Sequence, residues 1–284
     1  MARFVRFRRL RAILARAITV AALFISGGAL ADISVIAGSQ ESRDRILKLL
    51  AQRPGSESLR SLELTITVGN AALREQCAIE SNRPIIAISL YQSHLAEAAK
   101  TCRREVVGIP TDAPWASQER LARALFPGAR LATLIEAENN EPLVSREGVE
   151  EQLQVPGEGV SKSLGRLIRE GRWDVFLLPI DHTVYASADY RLALETLVRH
   201  RKPAIASATP LLRGGAVAAV YFTPAQLDEA LLASLDHFIN TGQLVGQTPA
   251  KVQIEINKTV LRNLFGRIIA ADELRTIQAG VNGG

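Results

Sequence analysis

The chain has 284 residues, is 47% hydrophobic and carries a formal charge of +5; it is long enough for one large core or two modest lobes. The charge is local: Arg3, Arg6, Arg8, Arg9, Arg11 and Arg16 lie within residues 1–31, which hold no acid. The remaining 28 basic residues meet 29 acidic ones, so the composition excludes a nucleic-acid footprint.

Residues 1–31 read as a secretory signal peptide: an Arg-rich start, an apolar segment at Ala17–Ile25, and the small-residue stretch Gly27-Gly28-Ala29-Leu30-Ala31 before Asp32. The apolar segment is too short for an ordinary spanning helix; an uncleaved anchor is the alternative. Export of the mature chain is the expectation. From Asp32 the pattern alternates strand and helix. Strands are expected at Asp32–Gly38, Leu62–Gly69, Pro84–Tyr91 and Val106–Pro110, with helices at Glu41–Gln52, Ala71–Glu80 and Gln92–Thr101. Asn70 is placed to cap the second helix. The only cysteines, Cys77 and Cys102, fall on helices either side of Pro84–Tyr91. Export permits a disulfide between them, worth about 3 kcal/mol by the chain-entropy model; two free thiols are the alternative. The cysteines and four histidines show no metal-ligand spacing.

In the next stretch Thr111 or Asp112 caps a helix with the stripe Leu121, Ala122, Leu125 and Phe126, ended by Pro127-Gly128. A strand at Leu131–Ala137, a polar connection over Glu138–Gly148, a weak strand at Leu153–Pro156 and a helix at Ser161–Arg169 follow, with Ser161 as cap. Trp173–Ile180 is a continuous apolar run, the mark of a strand buried on both faces. Beyond a helix presenting Tyr190, Leu194, Leu197 and Val198 come strands Ala204–Thr209 and Ala216–Phe222. Thr223-Pro224 opens a helix that ends at Gly242, Val252–Asn257 alternates like an edge strand, and Lys258–Ile269 is a short helix. The tail 271–284 is expected to be flexible. Repeated β-α units with apolar strands make parallel sheets covered by helices. About ten strands strain one open sheet, so the expected class is α/β with two Rossmann-like lobes.

No G-x-S-x-G, P-loop or G-x-G-x-x-G stretch is present, and no catalytic role, metal or cofactor is expected. Asp181-His182 resembles a base with its orienter, yet adjacent residues rarely aim at one point, and a loop histidine accounts for it. The tyrosines say more. Tyr91, Tyr185 and Tyr221 sit at or just past strand ends, with Ser89 and Ser93 beside the first and Asp181 and Thr183 beside the second. Ser207 and Thr209 end another strand. Ligands in open α/β sheets sit beyond the carboxyl ends of strands, and mostly apolar clefts with a few aromatic and hydroxyl groups hold small molecules. The expected ligand-binding set is therefore Ser89, Tyr91, Ser93, Asp181, Thr183, Tyr185, Ser207, Thr209 and Tyr221. The structural alternative is that Asp181 caps a helix and the rings pack under loops.

Four stretches carry a family resemblance: Gln118–Leu134 (QERLARALFPGARLATL), Trp173–Val184 (WDVFLLPIDHTV), Lys202–Ala219 (KPAIASATPLLRGGAVAA) and Ile254–Leu264 (IEINKTVLRNL). Together they resemble ABC-transporter substrate-binding proteins of the tryptophan/tyrosine-binding type. The resemblance implies a type I periplasmic-binding fold with lobes 32–129 plus 216–246 and 130–215 plus 247–270. Hinge crossings are expected near Pro127–Leu131, Gly214–Ala216 and Gly246–Pro249. It further implies a small-molecule ligand between lobes that close around it, an ABC permease and ATPase as partners, and no enzyme activity. By position, Asp181 and Thr183 match the family's second-lobe ligand-facing loop, and Tyr91 and Ser93 the first-lobe loop. There are two departures. Ala208-Thr209-Pro210 stands where members often carry an acid, and the first loop, Ser39–Arg43, is short. A sensory or accessory protein that keeps the fold without a permease is the alternative.

Overall fold

The computed structural model describes residues 33–55, 57, 59, 62–136, 151–155, 159–181 and 184–283. The expected signal peptide, the connection at 138–148, and His182 and Thr183 lie outside the described residues. Among these residues the strands form two sheets. In the first, β1 (Ile33–Ala37), β2 (Leu64–Val68), β3 (Ile85–Leu90) and β4 (Val106–Pro110) lie side by side in that order, all parallel. The second holds β5 (Leu131–Glu136), β6 (Glu151–Val155), β7 (Val175–Leu178), β8 (Ala204–Ala206), β9 (Ala218–Tyr221) and β10 (Gln253–Ile256). Its order is β10-β9-β8-β7-β5-β6, and only β10 runs antiparallel to its neighbour, which suits its alternating sequence. The helices are α1 (Gln40–Gln52), α2 (Asn70–Cys77), α3 (Gln92–Thr101), α4 (Trp115–Leu125), α5 (Val160–Glu170), α6 (Ser187–Arg199), α7 (Pro224–Thr241), α8 (Lys258–Phe265) and α9 (Ala271–Asn282).

Strand side chains alternate between faces, and each sheet uses both. On β3, Ile86 and Ile88 join α1 and α7 through Ile46, Leu50, Leu231 and Leu235. Ile85 and Ala87 meet Leu73 of α2 and Ala98 of α3 on the opposite face. The β1-α1-β2 connection therefore winds with the opposite hand to the two that follow it. The usual right-handed rule cannot hold for all three. What keeps α1 on its face is α7: besides the apolar contacts, Arg45 Nη1 pairs with Asp228 at 2.8 Å and Arg53 pairs with Asp236. At the base of this sheet the buried Arg104 donates to Arg83 O (2.7 Å), Thr65 Oγ1 (2.9 Å) and Gln76 O (3.2 Å), tying the starts of β2 and β3 to the end of α2.

The second sheet packs α5 and α6 on one face, where Leu164, Leu167, Leu194 and Leu197 surround Trp173, Phe176 and Leu178. The other face packs α4, α8 and α9 against Val175, Leu177, Ile205 and Val220.

This pattern corrects the expected division of the chain. Residues 216–246 do not return to the first lobe as a block, because β9 pairs with β8 in the second sheet and only α7 packs on the first. Likewise α4 belongs with the second sheet through Leu121, Ala122 and Leu125, so Pro127-Gly128 is a turn within the second lobe. The chain passes between the sheets at Asp112, at Phe222-Thr223 and between Gln247 and Lys251. The first two differ from the expected places, whereas the third overlaps Gly246–Pro249. A further correction concerns the tail: residues 271–282 are helix α9, with Ile277 and Val281 buried against α4 and Arg120 Nε donating to Val281 O at 2.9 Å.

Cys77 and Cys102, at the ends of α2 and α3, form a disulfide with a Cα–Cα distance of 4.7 Å. Alkylation of the unfolded protein is expected to add no label without reductant and two labels after reduction, read by intact mass; labelling of both thiols without reductant would exclude the bridge. Ile277→Ala is expected to lower stability by about 3 kcal/mol in denaturant unfolding, the cost of truncating a buried aliphatic side chain, whereas a mobile tail predicts no change.

Candidate functional site

The carboxyl ends of the parallel strands carry the candidate residues. At the end of β3 the pairing with β4 shifts between Ile88 and Leu90. Ser89 takes a left-handed conformation there, φ 57°, and is exposed. A non-glycine residue held this way costs on the order of 1 kcal/mol, and such strain concentrates where a side chain is re-aimed. Here the shift sends Leu90 to the α2/α3 face, away from the side Ile86 and Ile88 occupy. Tyr91 then opens α3, its ring 5.6 Å from that of His94. Ser93 lies in the first turn with its hydroxyl oxygen buried and without a partner.

Asp112 is, with Thr111, one of the two expected caps of the helix after it. Instead it reaches back: the Gln92 N–H donates to Asp112 Oδ1 at 2.8 Å, which places a carboxylate at the N-terminus of α3. The helix it was expected to cap has Pro114 in that position and no side-chain cap. Asp112 is the functional candidate that the sequence reading passed over. The signal was its place just beyond β4, the same criterion that selected Tyr91.

In the second lobe Asp181 follows β7. Its N–H donates to Tyr190 Oη at 2.8 Å, and the Tyr190 hydroxyl lies 3.4 Å from the Asp181 carbonyl, which also accepts from the Tyr185 N–H at 2.9 Å. Asp181 thus sits in a loop pinned by a tyrosine and does not cap α6, whose first turn is capped by Asp189 through the Ala186 N–H. Tyr185 is fully buried and stacks on Tyr190 with ring centroids 4.9 Å apart. Its ring therefore belongs to the wall's foundation rather than its lining. Ser207 is also committed to the scaffold, because its buried hydroxyl accepts the Ile180 N–H at 2.8 Å and joins the ends of β7 and β8. Thr209 begins a 3-10 turn and is half-buried, and Tyr221 ends β9 opposite Gln253, beside the second crossing.

The two sets of loops sense one another. Burial pushes the Tyr190 hydroxyl's pKa up, and the charges of Asp181, Tyr91 and Asp112 push it further, against the Asp181 backbone bond. Tyr91 and Asp112 follow strands of the first sheet and Asp181 and Tyr190 belong to the second, so the two sets of loops lie within electrostatic reach of one another. All three crossings are short and tied at both ends. Thr111 bonds Leu90 O (2.9 Å) and Ala113 is buried against the second sheet. Phe222 is buried there too, while Thr223 caps α7 by accepting the Gln226 N–H at 3.2 Å. Gln247 donates to Ser234 Oγ (3.0 Å) and Val252 to Asn282 Oδ1 (2.7 Å). Just before the third crossing Gly246 lies flush on β4, where a side chain would meet the Gly108 carbonyl at 2.6 Å.

Solved structures share this fold at low sequence identity. A ligand-free, open substrate-binding protein with adhesive properties from Clostridium difficile aligns over 85% of this chain and 96% of its own, with a TM-score of 0.59 at 15% identity. The chain has the fold of substrate-binding proteins. A conserved domain protein from Vibrio cholerae matches over 87% of this chain and 98% of that one (TM-score 0.57, 15% identity). A Streptococcus pneumoniae ABC domain in complex with L-Trp matches over 86% and 98% (TM-score 0.54, 17% identity). No protein-family model and no curated protein sequence matches the chain. Asp112 joins the start of α3 to the first crossing. Asp112→Ala is expected to cost about 1 kcal/mol of stability as a lost helix cap, and Asp112→Asn to recover most of it, both read by denaturant unfolding.

Proposed function

We propose that this chain is the periplasmic substrate-binding component of an ABC importer and takes a small molecule between its two lobes. What supports the reading is that the charges of Tyr91 and Asp112, which follow strands of one sheet, reach the buried Tyr190 hydroxyl beside Asp181 of the other, at the carboxyl strand ends where α/β folds hold ligands. Ligand entering the space engages Tyr91, Ser89 and Ser93 on one side and Asp181, Thr183, Thr209 and Tyr221 on the other. Rotation about Asp112, Phe222-Thr223 and residues 247–251 closes the lobes, and the ligand stabilises the closed form by binding it better than the open one. The permease then recognises that form. Residues 1–31 direct export and are removed.

A thermal-shift panel of amino acids, sugars and aromatic acids tests the reading. A true ligand at 100 times its dissociation constant is expected to add about 2.7 kcal/mol of stability, and Tyr91→Ala to abolish that gain while leaving the unliganded melt nearly unchanged. Silence across the panel would remove the import reading and leave the accessory role.

A further inference from the structure

The first turn of α7 touches both halves of the molecule. Ala230, Leu231 and Leu235 of this helix pack on the first sheet, whereas Leu227 near its start packs against both cores. The third crossing runs beside the same helix. It is held to α7 at its start, where the Gln247 N–H donates to Ser234 Oγ at 3.0 Å, and again at its end, where Gln226 Nε2 donates to Lys251 O at 2.8 Å. From Ser234 back to Gln226 is about 12 Å along the helix axis, and four extended residues span at most about 13–14 Å. The crossing therefore lies stretched along α7 with little slack. Val252, the next residue, belongs to the second lobe: it is buried there, and its N–H donates to Asn282 Oδ1 at 2.7 Å. The Gln226–Lys251 bond thus ties a helix of the first lobe to the last residue before the second.

Gln226 also serves the second crossing. Its Oε1 accepts from the Thr223 N–H (2.9 Å) and the Thr223 hydroxyl (3.0 Å), while the Gln226 N–H donates to Thr223 Oγ1 (3.2 Å). This is a capping box, a role that glutamate fills as well as glutamine. A carboxylate, however, has no proton to give Lys251 O. Reversing the amide would set its NH2 against the Thr223 N–H, so the oxygen faces the cap and the nitrogen is left for the third crossing. One side chain joins two crossings, and of the two capping-box residues only the amide can. We propose that Gln226 is a latch that sets the angle between the lobes in the unliganded protein, by holding Lys251 against α7 until rotation draws it away. The proposal rests on the reading of two lobes that rotate about the crossings, but on no particular ligand.

Gln226→Glu keeps the capping box and removes the donor, so it isolates the latch; Gln226→Ala removes both. The lobe angle is read without ligand, as the distance distribution between spin labels at K48C on α1 and R199C on α6, both exposed positions, with Cys77 and Cys102 left bridged, and label-free by small-angle scattering. Both variants are expected to lower the population at the parent's distance, relative to all others, about fivefold, the worth of one net hydrogen bond, whereas the melting temperature falls in Gln226→Ala only. Leu73→Ala truncates a fully buried side chain on the face of the first sheet opposite α7; it should melt lower yet keep the parent's distribution. A Gln226→Glu distribution identical to the parent's overturns the proposal, as does a Leu73→Ala distribution displaced as far as that of Gln226→Glu. Should Gln226→Ala fold too poorly to measure, the other two variants decide alone. A silent ligand panel with a displaced Gln226→Glu distribution would leave the latch standing without import, and a panel ligand with an unmoved distribution would remove the latch alone.

Discussion

One hydrogen bond, from the Gln92 amide to the Asp112 carboxylate, sits where three parts of the molecule meet. It ends the first lobe's last strand, fixes the start of α3, and occupies the residue at which the chain leaves for the second lobe. Thr111 is held to Leu90 on one side, and Ala113 is buried against the second sheet on the other, so little chain is free between them. A connection that short permits rotation about a few dihedrals and almost no translation. The start of α3 and the crossing are thus one mechanical unit.

The first sheet shows a second constraint, between local winding and long-range packing. A strand-helix-strand unit read alone places its helix by handedness. Here α1 lies on the face opposite α2 and α3, where Ile46 and Leu50 reach Leu231 and Leu235 of α7 and two ion pairs link the helices. The ion pairs are partly exposed and contribute little individually. The apolar seam contributes more, at roughly 1.5–3 kcal/mol for each fully buried aliphatic side chain.

Most strands were legible in the sequence because parallel strands buried on both faces are continuous apolar runs, as in Trp173–Ile180 and Pro84–Tyr91. The helix after Thr223 was legible because Thr223 and Gln226 cap one another. The lobe boundary was misread because Pro127-Gly128 looks like a break between domains, whereas it is a tight turn with Gly128 at φ 74°, and no local signal tells which sheet a helix such as α4 will cover. α9 was missed because its apolar positions, Leu274, Ile277 and Val281, are diluted by alanine, glycine and polar residues; its partner is α4, some 150 residues earlier. At the candidate site, strand-end position selected Ser89, Tyr91 and Asp181, which lie at or just beyond the ends of β3 and β7. It did not foresee that Tyr185 is fully buried against Tyr190 and that the Ser207 hydroxyl accepts the Ile180 N–H, since that depends on how neighbouring strand ends meet.

The seating of α9 on α4, together with that of α7 on the first sheet, has a consequence for how the polypeptide matures. The first sheet lacks one cover until residue 241 has been synthesised and the second lacks one until residue 282, so each core closes on contacts far apart in sequence, the kind of closure that slows folding.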